Sequence, residues 1–298
     1  MSEIWFMKTF NKVKTACKIP QLINGSFYFN GEYLQPASKT WTEFLTLTPA
    51  DVRDQASVYV YDKQCLFIWN ALAVRWFHAG GVLRFPTFAA ATLAIGVGAK
   101  WEDTEFYCDD VAGGNLKLKH NGSRFVPTSA QGYLFNEVNG TLASPTKTIP
   151  NGAAPQGWTF NNPKIPGGLV QAGDTLWAEF SGQRHGTGAQ TLVMALGTSS
   201  AITDLTDAQF YSQNLATTDL AKVEGVCKLI VGANTSMSTN GSNSIQQTSG
   251  SGAGTRSSVT ANLDFTADQY FKGGLTVRGT TTETVDLLQF SCLWIPAS

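Results

Sequence analysis

From Trp158 to Ser298, short apolar runs recur between clusters of Gly, Ser, Thr and Asn, and this rhythm leaves few folds open to the chain. The runs are Leu176–Phe180, Leu192–Leu196, Val226–Val231, Val259–Phe265, Leu275–Arg278 and Val285–Ile295. Each is short for a helix and bounded by turn formers, the signature of strands in a sandwich. Val259, Ala261, Leu263 and Phe265 alternate with Thr260, Asn262 and Asp264, as one buried and one wet face of a strand require. The last run carries Leu287, Leu288, Phe290, Leu293, Trp294 and Ile295, too apolar to lie outside a core, and Pro296 ends its ladder. The fold class read from this pattern is all-β, with an antiparallel β-sandwich over 158–298.

Composition agrees. Charged residues are 14% of the chain and the formal net charge is −1, so no field of one sign marks a polyanionic partner, and nucleic-acid binding is not expected. Gly (29 residues) and aromatics (11%) are plentiful, as tight turns and sheet packing require. The cysteines, Cys17, Cys65, Cys108, Cys227 and Cys292, are widely separated and odd in number, which predicts buried reduced thiols, synthesis in a reducing cytoplasm and no metal site. No secretory signal is read at the start, because Glu3 and Lys8 interrupt its apolar run, and no stretch is long enough to be inserted in a membrane.

Four regions are expected along the chain. Residues 1–24 read as an anchor segment: Ile4, Trp5, Met7, Phe10, Val13 and Cys17 are spaced like one helical face, with Lys8, Lys12, Lys14 and Lys18 elsewhere. That pattern fits a basic helix lying on a membrane or one packed on protein; the sharper version is a peg, with Trp5, Phe6 and Phe10 inserted into a neighbouring protein. Residues 25–128 carry a weak internal repeat in which a strand, an Asn-containing turn and a returning aromatic recur around Asn30, Asn70 and Asn121. The first and third turns are Asn-Gly, which predicts type I′ hairpins. Upstream strands end in Asp62 and Asp109, and the hairpins close on Arg75-Trp76 and Arg124-Phe125. Such small units must stack on each other or on other copies of the chain, as in a stalk. Residues 129–157 read as a connector of turns and edge strands, and 158–298 as the sandwich head. Ser236–Ser258 is a surface loop or hairpin tip, and the segment Ile202–Tyr211 is expected to hold a helical turn capped by Thr203 or Thr206.

The Gly173-Asp174-Thr175-Leu176 motif, the Leu192–Leu196 strand and the final run ending Trp294-Ile295-Pro296 resemble the jelly-roll heads of bacteriophage tail and fibre proteins. The unit ending Asn-Gly-x-Arg-aromatic, with Thr46-Leu47-Thr48-Pro49-Ala50 ahead of its strand, is similar to the hairpin modules that precede such heads. The resemblance implies a virion structural protein, commonly a homotrimer. Its N-terminus would dock on other virion proteins and its head would face a host surface, with glycan as one partner. Tail and capsid attachment are both compatible with it.

Chemistry is sparse. Glu102, Asp103, Glu105, Asp109 and Asp110 are the nearest approach to a glycosidase pair, but they bunch in one stretch and read as a solvated turn. His78, His120 and His185 lie in no nucleophile motif, and Gly250–Gly254 lacks the Lys of a phosphate loop, so neither enzyme nor cofactor is expected. One stretch stands apart: Gln183, Arg184 and His185 interrupt apolar runs with groups that hydrogen-bond sugar hydroxyls. Read as a loop, they form with Tyr211 and Gln213 a candidate receptor-contact patch, beside the plainer reading of a hydrophilic turn.

Overall fold

The computed structural model describes residues 21–23, 26–29, 32–34, 37–47, 57–70, 72–96, 101–138, 140–141, 144–205, 208–215, 219–220, 222–232, 236–239 and 260–298. The proposed anchor residues Trp5, Phe6 and Phe10 lie outside them, as does Cys17. The chain divides into two compact units, Met1–Cys108 with Lys117–Thr128 and Asp109–Leu116 with Ser129–Ser298.

The first unit is built from a repeated topology. Strands β1 (Gln21–Ile23), β2 (Ser26–Phe29) and β3 (Glu32–Leu34) form an antiparallel meander. A fuller version follows: β4 (Ala37–Lys39), helix α1 (Trp41–Leu45), β5 (Ser57–Val60), β6 (Cys65–Asn70) and β7 (Arg75–Gly80), in the order β4-β5-β6-β7 with β4 parallel to β5. It then recurs as β8 (Arg84–Phe85), α2 (Phe88–Ile95), β9 (Glu105–Cys108), β10 (Lys117–His120) and β11 (Phe125–Pro127), ordered β8-β9-β10-β11 with β8 parallel to β9.

The same local chemistry starts both helices. Thr40 and Thr87 are extended N-caps whose hydroxyls accept from the amides of Glu43 and Ala90, and each is followed by a buried aromatic, Trp41 or Phe88. Glu43 closes a capping box on Thr40 (2.8 Å). The acid that ends β5 has a job as well, since the Asp62 carboxylate accepts the Trp41 backbone N–H at 2.8 Å.

The expected type I′ turn at Asn121-Gly122 is not formed. His120 pairs with Phe125, leaving a four-residue loop in which the Asn121 carboxamide accepts from the Ser123 and Arg124 amides (3.2 and 2.9 Å). The Asn side chain thus does what two positive φ angles were expected to do, an Asx turn in place of a tight hairpin. At the second hairpin Asn70 accepts from Ala73 N–H (2.8 Å) in the same way. Residues 30–31, the first turn, lie outside the described residues.

The two fuller modules pack through aromatics and one cation. Trp101 meets Trp41, Phe44 and Phe67 at ring distances of 6.0, 5.7 and 6.1 Å. Arg75, from the hairpin closure singled out in the sequence, reaches Glu102 (3.2 Å) and Asp103 (3.3 Å). His120 is buried; its Nδ1 accepts from Gly122 N–H (3.2 Å), which leaves the proton on Nε2. Burial holds the pKa of His120, and that of His78, below the ordinary 6.5. The folded unit therefore refuses protons that the unfolded chain would take. Stability from these histidines is complete above pH 6.5 and is lost on acidification below it. Melting followed by aromatic near-UV signal should show a transition temperature that falls between about pH 7 and pH 5; a temperature that rises on acidification would contradict this account.

The second unit is an antiparallel β-sandwich. Its strands are β12 (Gly132–Glu137), β13 (Lys147–Thr148), β14 (Gln156–Gly157), β15 (Lys164–Ile165), β16 (Thr175–His185), β17 (Gln190–Gly197), β18 (Ala208–Leu215), β19 (Lys222–Val231), β20 (Ser236–Thr239), β21 (Thr260–Asn262), β22 (Gln269–Arg278) and β23 (Thr284–Ile295). One sheet runs β12-β23-β16-β19-β20-β21 with β13 also on β23; the other runs β14-β22-β17-β18 with β15 also on β22.

Three expectations are revised. Residues 129–157 are not a connector outside the sandwich, because β12, β13 and β14 are strands of its two sheets. The segment Ile202–Tyr211 holds a turn and the start of β18, with no helix among its described residues. Among its described residues the Val259–Phe265 run is strand over Thr260–Asn262; Leu263 and Phe265 are still buried, while Asp264 turns the chain by accepting from Thr266 N–H (2.9 Å).

Between the sheets lies an aromatic core. Phe135 and Phe290 touch each other and both Phe160 and Phe271, and the buried Trp158 donates its indole N–H to the Val285 carbonyl at 3.0 Å. The final strand is locked at its end by Asp174, which is fully buried and accepts from the Trp294 indole (2.9 Å) and the amides of Ala297 (2.8 Å) and Gln171 (2.9 Å). Removing it leaves the Trp294 indole N–H buried and unmatched. Asp174→Ala is expected to cost on the order of 3 kcal/mol, measured as the shift in a urea midpoint, whereas a change within experimental error would show that the C-terminus is held by packing alone.

Candidate functional site

The receptor patch expected from sequence does not assemble. Gln183, Arg184 and His185 form the end of strand β16, not a loop, so their side chains alternate between faces. Leu176, Ala178, Phe180, Gly182 and Arg184 make up the inward row, and Arg184 is fully buried, donating to the Gly188 carbonyl at 2.8 Å. Burial lowers its pKa, an effect that Glu283 and Asp219 oppose. Tyr211 is buried too: it sits edge-on to Phe180 at 4.6 Å between the sheets, and burial pushes its phenol strongly up. Both rings lie over Gly225, where a Cβ would stand 2.4 Å from Phe180. Gln213 belongs to β18, in the opposite sheet from β16, and its side chain lies outside the described residues.

Among the described side chains of the patch, Gln183 and His185 keep partial exposure, and both are engaged. Gln183 donates to the Leu220 carbonyl (2.9 Å), and His185 pairs through Nε2 with Asp286 (2.8 Å), which also accepts from the Thr148 hydroxyl (2.7 Å). Glu283, buried beside them, accepts from Thr280 N–H (2.9 Å) and from Gly188 N–H, tying the β16–β17 turn to the β22–β23 turn. Backbone groups and protein side chains occupy this end of the sandwich, which makes it a structural clasp.

The acids weighed as a glycosidase pair are likewise engaged. Glu102 and Asp103 hold Arg75, Glu105 pairs with Lys117, and Asp110 lies 3.3 Å from Lys164. No cluster of His, Cys, Asp or Glu suited to a metal ion exists among the described residues.

An open surface does exist elsewhere, on the outer face of the larger sheet. Its register sets Tyr133 opposite Leu293, Leu293 opposite Trp177, and Trp177 opposite Lys228, one row across β12, β23, β16 and β19. The neighbouring row carries Asn136, Ser291, Glu179 and Val226. A β-bulge creates the aromatic end of this face. The register of β12 shifts between Tyr133 and Phe135, so Leu134 and Phe135 both turn inward while Tyr133 and Asn136 point out. Tyr133 is 51% exposed and Trp177 37%, large values for aromatics in mid-strand, and the Trp177 indole is oriented by the Glu179 carboxylate at 2.8 Å.

Beside Tyr133 the face drops into a groove of about 780 Å³. Five exposed amides line it, Asn115, Gln131, Asn136, Asn161 and Asn162, with Tyr133 and Leu293 at the sheet side and no charged residue among the described ones. The far wall is a tight turn, Ala112–Gly114, whose residues all have positive φ (51°, 63° and 79°). Gly113 suits this turn because its φ of 63° lies in the left-handed region that favours glycine. A smaller depression of about 290 Å³ follows along the same face, lined by Glu179, Ser181, Glu224 and Gln289 among others.

No protein-family model matches the chain, and no curated protein matches it in sequence. Among the described residues no helix is long and apolar enough to cross a membrane.

The four described cysteines, Cys65, Cys108, Cys227 and Cys292, are all free and buried. Burial pushes the Cys65 thiol up to about 11 and that of Cys227 up to about 12, and that of Cys292 higher still. Thiolate, the reactive form, is therefore scarce. In a Cys17→Ser background, iodoacetamide at about pH 8 should label none of them in the native protein and all four after denaturation; native labelling would show that these sites open readily.

Proposed function

We propose that the chain is a non-enzymatic structural protein of a bacteriophage particle, a trimeric appendage that presents its sandwich as a head toward the host surface. The observation that carries this reading is serial modularity: one strand–helix–meander topology recurs within the first unit, apart from a sandwich with its own core. An array of small modules held by Arg75 and Trp101 is how a stalk is lengthened, each module burying what its neighbour exposes.

The strand order of the head supports the same reading. Counting β14 and β15 as one broken strand, the eight main strands run 1-8-3-6 in one sheet and 2-7-4-5 in the other. Two Greek keys wrapped around each other produce this order, the arrangement called a jelly roll. Trimerisation is favoured by what the modules leave uncovered: Leu72 is 95% exposed, Leu93 on α2 is 90% exposed, and Val74 and Val82 are over half exposed. Helix α2 is apolar on nearly all sides, which in water calls for protein on both. Copies around a threefold axis would cover such faces and give weak head contacts avidity.

Multi-angle light scattering of the full chain tests this directly. Three times the chain mass is expected, with Leu93→Asp lowering it toward one. A stable monomer would sink the stalk reading.

A further inference from the structure

We infer that the Tyr133–Trp177 face and its amide groove form a binding site for a neutral polysaccharide chain. This rests on reading the sandwich as an outward-facing head, and it moves the contact surface away from the Gln183–His185 end to the outer face of β12, β23 and β16.

The chemistry is read from the residues. A pyranose ring has a face of C–H bonds and an edge of hydroxyls. The C–H face packs on aromatic rings, whose faces carry negative charge density, and the hydroxyls need partners that both donate and accept. Tyr133 and Trp177 present exposed rings in one row, with Leu293 between them in register. Carboxamides both donate and accept, and five of them line the groove that begins at Tyr133. Its volume falls in the range of small-ligand sites.

Charge selects among glycans. Among the described residues, the lining of the groove has no cation to pair with a carboxylate, sulfate or phosphate. Glu179 and Glu224 stand along the same face, where their negative charge repels anions. Lys228, at the end of the row, is the cation of that row. An acidic polysaccharide would thus meet carboxylates where it needs cations; an uncharged one meets amides and aromatics throughout.

The groove is also pre-shaped. The left-handed turn Ala112–Gly114 and the left-handed Asn162 (φ 49°) hold its walls, and Asn115 is tied back to the Ala112 carbonyl at 3.3 Å. The backbone of these walls need not be ordered when a ligand enters, which lowers the entropic cost of binding.

The test uses the full chain on a printed array of purified bacterial polysaccharides, neutral O-chains beside uronate-containing, sialylated and phosphorylated ones. Expected is capture on neutral chains that added salt does not weaken, falling about tenfold or more in Tyr133→Ala and Asn136→Ala and largely kept in Trp177→Phe. These side chains are exposed, so thermal melts of the variants should match the parent. Capture confined to acidic glycans, capture equal in all variants, or none at all would overturn the site. If the Tyr133→Ala and Trp177→Ala variants instead lose trimer mass and the parent captures nothing, the face is a contact between copies of the chain and the proposal fails. The two readings separate cleanly: a trimer without glycan capture removes the groove and leaves the appendage, whereas a monomer that captures through Tyr133 does the reverse.

Discussion

The pairing of β16 with β23 is the interaction on which the sandwich depends. It runs from Thr175↔Ile295 to His185↔Thr284, and each strand is flanked on its other side, β16 by β19 and β23 by β12. Asp174 closes one end of this pair by accepting from Trp294 and Ala297. At the other end Glu283 and the His185–Asp286 contact close it. A long antiparallel pair with both ends clamped leaves no freedom of register, and register decides every cross-strand neighbour on both faces. Phe180, Phe290 and Trp294 go inward by that choice, and Trp177 and Leu293 outward.

The same rigidity separates structural polar groups from available ones. Polar side chains at the turn end of β16 are consumed by backbone groups of the adjoining turns: Arg184 by Gly188, Gln183 by Leu220, Glu283 by Thr280. Those across the outer face of β12 have fewer such claims on them, because a sheet face offers no free backbone donors or acceptors. The bulge in β12 shifts the alternation by one residue and sets Tyr133 and Asn136 at the mouth of the groove. A local irregularity thereby does more for the surface than the regular strands around it.

In the first unit, cohesion comes from small means repeated. Each fuller module has a threonine-capped helix, a parallel strand pair and a meander, and the modules share a junction of Trp41, Phe44, Phe67 and Trp101 with the Arg75 carboxylate pair. Neither four-stranded sheet buries enough alone, and the shared aromatic junction offsets what each lacks. The exposed Leu72 and Leu93 belong to surfaces that this junction does not cover.

Much of this was legible in the residues. The strands at Leu192–Leu196, Val226–Val231 and Val285–Ile295, the burial of the four described cysteines, the Asp62 ending and the Arg75 closure all follow from local pattern, because alternation, turn formers and short-range hydrogen bonds act between near neighbours in the chain. The exchange of a tight Asn-Gly hairpin for an Asx turn at Asn121 lay just beyond that reach, since Asn serves either geometry. What only the tertiary structure decided is which polar residues stay free. Arg184 and Tyr211 look like surface chemistry in one dimension and are core in three, while Asn115, Asn136, Asn161 and Tyr133, unremarkable along the chain, line one groove. Sequence determines what each strand would bury; register and sheet order, which join residues more than a hundred positions apart, determine which side chains meet and which face water.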